Sequence, residues 1–255
     1  MTTHVRHPYL DCSGPLAFAH RGGTADGLEN TMAAFRRSVD LGYRYIETDV
    51  HTTSDGTLVA FHDATLDRVT DAAGRIADLP WSDVRHARVA GREPVPLFEE
   101  LLETFPDVRW NVDVKAEPAL LPLLALIGRL DAWDRVCVGS FSEARVARAQ
   151  SLAGPRLATS YGTRGVLGLR LRSLGLPAAL RPSAVCAQVP VAQSGIRIVD
   201  RRFVRAAHAR GLQVHVWTVN DRTQMGELLD LGVDGIMTDH IETLRDVLTD
   251  RGAWT

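Results

Sequence analysis
From Leu16 onward, short apolar runs alternate with longer stretches of helical period, and the alternation repeats eight times. The strand candidates are LAFAH (16–20), YRYIETDV (43–50), VRWNVDVK (108–115), RVCVGS (135–140), RLATS (156–160), SAVCAQV (183–189), LQVHVWTV (212–219) and VDGIMTD (233–239). Helix candidates between them are 31–41, 116–130, 142–153, 200–210, 221–231 and 240–250; in the first, Ala33, Ala34, Phe35, Val39 and Leu41 give much of an apolar face. Asn30, Ser142, Asp200 and Asn220 stand where N-caps are wanted. Repeated strand-helix units build a parallel sheet, and eight of them predict a (β/α)8 TIM barrel whose functional groups gather at the C-terminal strand ends. A chain of 255 residues, 45% apolar, has the length for one such barrel. We expect a loose leader over 1–15 and a single domain over 16–255.

One interval departs from the alternation. Residues 51–96 read as an insertion after the second strand, opened by an extra strand TLVAFHD (57–63) behind the Ser54-Asp55-Gly56 turn and continued by polar, turn-rich sequence. A loop of that length in a compact domain is usually functional, which places it on the catalytic rim. Residues 144–199 hold eight arginines and no Asp or Glu: a positive flank for an anionic substrate or a membrane surface, or helix faces turned to solvent. Within them, GTRGVLGLRLRSLGLPAALRP (162–182) fits either the fifth barrel helix or an apolar lip.

A net charge of -2 argues against a nucleic-acid binder. Three scattered cysteines leave an odd thiol, which suits a reducing, cytoplasmic setting. The N-terminus lacks an apolar signal core and no run approaches the roughly 18 residues that span a bilayer, which leaves transient contact with a membrane surface as the only membrane role.

The chemistry concentrates on the second strand. Side chains two apart on a strand share a face roughly 7 Å apart, so Glu47, Asp49 and His51 project together. Burying two carboxylates side by side costs several kcal/mol unless a cation compensates, which suggests a hard-metal site; the other reading makes one acid a cap and the other a salt-bridge partner. On the third strand the same alternation sets Asp113 beside Lys115. The first strand ends in His20-Arg21-Gly22-Gly23, where Arg21 offers a fork to phosphate. His62, after the extra strand, is available as an acid or base opposite His20. Trp217 and Phe141 lie at strand ends, either against the substrate's organic moiety or in the core. Asp239 stands where it would cap the last helix.

Together HRGG (20–23), LENT (28–31), ETDVHTTSDGTLVAFHD (47–63), LDRVTDAAG (66–74), PVPLFEELL (94–102), NVDVK (111–115), GSF (139–141), VHVWTVN (214–220) and GVDGIMTD (232–239) resemble the glycerophosphodiester phosphodiesterase family, over nearly the whole chain and in the same order. The resemblance implies a barrel with a small insertion, a divalent cation (Mg2+ or Ca2+), and hydrolysis of glycerophosphodiesters to glycerol 3-phosphate and an alcohol. By position it implies Glu47, Asp49 and Asp113 as metal ligands, His20 and His62 as general acid and base, and Arg21 and Lys115 as phosphate contacts. It leaves His51 on the rim and Asn30 as an N-cap. Many members carry glutamate where Asp113 stands, and Leu28 replaces the proline usually found before Glu-Asn-Thr. A rival is a lysophospholipase D-type enzyme acting on lysophospholipids, for which an apolar lip in 164–180 would be the mark. A non-catalytic barrel binding phosphorylated ligands is disfavoured by retention of both histidines and all three acids. An amidohydrolase would want a His-x-His pair on the first strand.

Overall fold
The computed structural model describes residues 7–24, 27–180 and 184–254; parts of the predicted leader, of the 24–27 loop, of the 162–182 segment and Ser183 of the sixth strand candidate lie outside the described residues. In chain order the strands are β1 (Leu16–His20), β2 (Tyr45–Thr52), β3 (Leu58–Ala60), β4 (Arg88–Val89), β5 (Glu93–Pro94), β6 (Arg109–Val114) and β7 (Val136–Gly139). There follow β8 (Ala158–Thr159), β9 (Cys186–Pro190), β10 (Ala192–Gln193), β11 (Ile196–Arg197), β12 (Gln213–Trp217) and β13 (Gly235–Thr238). Helices are α1 (Met32–Asp40), α2 (Trp81–Val84), α3 (Phe98–Thr104), α4 (Leu120–Arg129) and α5 (Glu143–Ala153), then α6 (Thr163–Ser173), α7 (Arg201–His208), α8 (Arg222–Leu231) and α9 (Ile241–Asp250).

Eight strands pair in parallel in the order β8-β7-β6-β2-β1-β13-β12-β9. The two ends of that row meet through a parallel bridge, Ser160 to Cys186, flanked by Tyr161 N–H to Cys186 O at 3.0 Å and Val185 N–H to Thr159 O at 2.9 Å. The sheet is therefore the predicted barrel. Its fifth strand is only two residues long, shorter than RLATS suggests, because the chain leaves the sheet at Ser160 after one bridge.

Side-chain caps mark the starts of α1, α5, α7 and α8, and two of the predicted caps move by one residue. Thr31, extended at φ -114° and ψ 157°, accepts from Ala34 N–H, whereas Asn30 sits at φ 56°, outside the extended backbone typical of a cap. Asp221 rather than Asn220 accepts from Gln224 N–H at 2.8 Å. Ser142 and Asp200 cap α5 and α7 as expected. The short α3 lies outside the predicted helices, with Phe98, Leu101 and Leu102 buried.

Outside the barrel wall, Trp110 is fully buried among the edges of Phe35, Phe98 and Phe105. Inside it, Tyr9 packs on Tyr45, and Tyr45 Oη donates to Tyr9 O at 2.7 Å. The described part of the leader is thus not loose: burying Tyr9 and Leu10 holds it to the barrel floor. The insertion departs after β2, adds β3 antiparallel to it, and builds a small core of its own from Val59, Phe61, Leu66, Ile76, Val84 and Val89. The 162–182 segment supplies α6, the fifth barrel helix. Among the described residues no helix is long and apolar enough to cross a membrane.

Candidate active site
The barrel register brings the predicted residues to one mouth. His20 closes β1 opposite Glu47, and Asp49 lies opposite Asp113 on β6. Behind His20 the chain turns sharply: Arg21, Gly22 and Gly23 all have positive φ, and a Cβ at Gly22 would stand 2.8 Å from the Phe35 ring, so that position requires glycine.

His20 Nδ1 donates to Asp239 Oδ1 at 2.7 Å, leaving Nε2 3.8 Å from Glu47 Oε2. Burial works to lower the pKa of His20, but Glu47 and the bond to Asp239 overcome it and raise the value. Asp239 is itself held by Asn220 Nδ2 at 2.9 Å. Burial acts to raise its carboxyl, and these partners bring it below the ordinary range, so it is an ionised acceptor. Asp239 is therefore no helix cap: α9 starts after His240, and Asp239 orients a histidine 219 residues away.

His62 sits on the insertion with the same arrangement, Nδ1 bonded to Asp63 Oδ1. Arg68, through its hydrogen bond, and then His62 pull the Asp63 carboxyl down to about 2. With an aspartate on Nδ1, the tautomer each histidine favours carries its proton there and leaves Nε2 open. His51 supports this segment from beneath by donating from Nε2 to His62 O at 3.2 Å, in keeping with a rim residue.

The acids and cations form one network. Lys115 Nζ bridges Asp49 Oδ1 at 2.8 Å and Asp113 Oδ2 at 2.7 Å. Arg21 donates its backbone N–H to Glu47 at 3.2 Å and Nη1 to Glu29 at 2.9 Å. Its Nε is buried without a hydrogen-bond acceptor, 3.3 Å from Asp49 Oδ2 but misaligned with it. Asn30 donates Nδ2 to Asp49 Oδ2 at 3.1 Å and accepts from Thr48 Oγ1 at 2.7 Å, so it serves the site and not the helix.

Burial, then repulsion from Asp49, pushes Glu47 up to about 7. Burial also raises Asp113, whereas for Asp49 burial is outweighed by Lys115 and Arg21 and the value falls. Six carboxylates (Glu29, Glu47, Asp49, Asp63, Asp113, Asp239) thus face three fixed cations (Arg21, Arg68, Lys115). A further cation bound among these acids would offset their charge toward a phosphodiester anion. Glu47, Asp49 and Asp113 supply the hard oxygens such a cation prefers. Among the described residues no group of three His, Cys, Asp or Glu side chains is already gathered as a metal cage; Lys115 occupies the gap between Asp49 and Asp113.

Phe141 is 64% exposed and meets Trp217 edge-on at 5.7 Å, with Lys115 Nζ 5.9 Å from its ring centre. It belongs to the mouth and not to the core.

A sequence profile of the glycerophosphoryl diester phosphodiesterase family matches residues 20–243. A probable glycerophosphodiester phosphodiesterase 2 of Mycobacterium tuberculosis is 43% identical over 251 residues, covering 96% of this chain and 95% of that protein. The human lysophospholipase D GDPD1 is 29% identical, covering 90% of this chain and 85% of its own. Among solved structures, a glycerophosphoryl diester phosphodiesterase homologue from Silicibacter pomeroyi superposes with a TM-score of 0.81 at 22% identity, covering 98% of both chains. An Oleispira antarctica phosphodiesterase, solved with its product sn-glycerol-3-phosphate, superposes at 0.77 and 22% identity, covering 92% of this chain and 97% of that one. At such identities the two structures establish the shared fold.

Proposed function
The chain belongs to the glycerophosphoryl diester phosphodiesterase family, and from that premise we propose that its barrel mouth hydrolyses glycerophosphodiesters to glycerol 3-phosphate and an alcohol. The observation that carries the reading is the pair of histidines, each with Nδ1 held by an aspartate and Nε2 left for proton transfer. A phosphodiester has a poor leaving group and gains charge as it is attacked. One histidine takes a proton from the nucleophile and the other protonates the departing alkoxide. Arg21, with its buried Nε lacking an acceptor, and Lys115 neutralise the charge that develops on the phosphoryl oxygens.

Glu47, Asp49 and Asp113 would hold a divalent cation, Mg2+ or Ca2+, which when bound supplies Lewis-acid stabilisation of the phosphoryl group. Residues 16–255 act as one catalytic unit, with the insertion over about 51–96 delivering His62. The buried thiols Cys137 and Cys186 fit a cytoplasmic protein.

A second reading, in which the glycerol side carries an acyl chain as in lysophospholipids and the products are an acylated glycerol 3-phosphate and the head-group alcohol, is favoured by the exposed Phe141 lying against Trp217 beside Lys115. One experiment separates them. Purified protein is incubated with glycerophosphodiesters and with lysophospholipids, with and without a chelator, beside His20→Ala and His62→Ala. Alcohol release that needs the cation and both histidines is expected; no release from any substrate would sink the enzyme reading, and turnover by either variant would remove that histidine.

A further inference from the structure
Arg68 lies on the insertion, in a segment pinned by the buried Leu66, by Leu66 N–H to Gly74 O at 3.0 Å and by Thr70 Oγ1 to Leu66 O at 2.8 Å. Its guanidinium is shared between two carboxylates. Nε and Nη2 donate to Asp63 Oδ2 and Oδ1 at 2.5 and 3.1 Å, while Nη1 and Nη2 donate to Glu29 Oε2 and Oε1 at 3.0 and 2.7 Å. Asp63 holds His62, and Glu29, on the loop after β1, also accepts from Arg21. One planar cation therefore spans the insertion and the barrel.

The backbone beneath His62 does not depend on Arg68. Phe61 N–H donates to Asp49 O at 2.9 Å, and His51 supports His62 O. What the backbone leaves open is the rotamer of Asp63. Both Asp63 oxygens are engaged by Arg68, and Glu29 fixes the guanidinium from the barrel side. An exposed ion pair alone contributes little to stability, so the value of this arrangement is geometric.

We propose that Arg68 is a positioning residue: forked between Asp63 and Glu29, it locks the His62 ring of the insertion in register with the phosphate-binding end of the barrel. The kinetic part of the test rests on the phosphodiesterase reading; the spectroscopic part does not. A lysine keeps the charge but, as a point donor, cannot engage both oxygens of Asp63 and both of Glu29 as the planar guanidinium does.

The probe is glycerophosphocholine, with the full chain and a divalent cation present. Arg68→Ala and Arg68→Lys are each expected to lower kcat about 100-fold with KM within about threefold, the signature of a displaced reacting group. Asp63→Asn combined with Arg68→Ala should be no slower than Asp63→Asn alone, because both act through one ring. Tm should fall by about 4 °C or less.

Without any substrate, the His62 Nδ1 proton should give a downfield 1H resonance in the wild type, identified by its loss in His62→Gln, and it should vanish in both Arg68 variants. If no protein cleaves the probe, the wild type included, the phosphodiesterase reading fails while the resonance still decides the positioning claim. A retained resonance in Arg68→Ala, wild-type kcat in Arg68→Lys, or multiplying losses in the double variant would each overturn it.

Discussion

His20 ends a barrel strand and His62 stands on the insertion, and the two are placed by the same device, an ionised aspartate on Nδ1. For His20 the partner is Asp239, which sits in turn on Asn220. Replacing Asp239 with Asn keeps the shape but offers an NH2 that can donate to Nδ1, moving the ring proton to Nε2. Asp239→Asn is therefore expected to lower kcat roughly 100-fold or more while circular dichroism stays that of the wild type. Kinetics within threefold of wild type, about the noise of such a comparison, would leave Asp239 without a role in placing His20. Sequence could suggest Glu47, Asp49 and Asp113, because strand alternation aims them together and the register carries that through. It could not separate Asp239 or Asn30 from ordinary helix caps, since an Asp or Asn just before a helix looks the same in either role. What distinguishes them is a partner far away in the chain, His20 for Asp239 and Asp49 for Asn30.

Among the elements, the strands were the most legible, because a buried barrel strand reads as a compact apolar run whatever surrounds it, as β7 does with all four residues buried. The insertion was legible as an interruption but not as a shape. Its β4–β5 hairpin and small core rest on pairings such as Thr70 with Val89, which no local period encodes. Where a helix is capped, its start follows from that side chain, and α7 gives a test away from the active site. Asp200 accepts from Arg202 and Phe203 N–H and pairs with Arg170 at 2.8 Å. Burial acts to raise its carboxyl, but the Phe203 bond and Arg170 prevail and the pKa is lowered. A lowered folded value means the stabilisation is complete above the unfolded carboxylate pKa, about 4, and is lost as pH falls toward the folded one. Asp200→Ala should cost about 1 kcal/mol at pH 7 by urea unfolding. The gap between variant and wild type should narrow at about pH 3. A gap that widens there would show that the charged form carries none of the effect.

For the molecule as a whole, charge is nearly balanced at -2, yet the acids are gathered at the mouth, where Glu47 and Asp113 are both raised by burial. Such a gathering strains the folded state and is relieved by any cation that binds there, so the proposed metal should be visible as stability without turnover. A ligand that binds only the folded chain stabilises it by about 2.7 kcal/mol at a hundred times its dissociation constant. For a chain of this size that corresponds to a Tm rise of roughly 5–10 °C. Adding Mg2+ or Ca2+ to chelator-treated protein should produce that rise, and the ion giving it at lower concentration is the better fit to the shorter arm of Asp113. Asp113→Ala should abolish the rise, while Arg222→Ala, whose side chain pairs with Asp250 on the helical shell, should keep it. A rise that survives Asp113→Ala would take that residue out of the cation's ligands and leave Glu47 and Asp49 as the pair to which the metal answers.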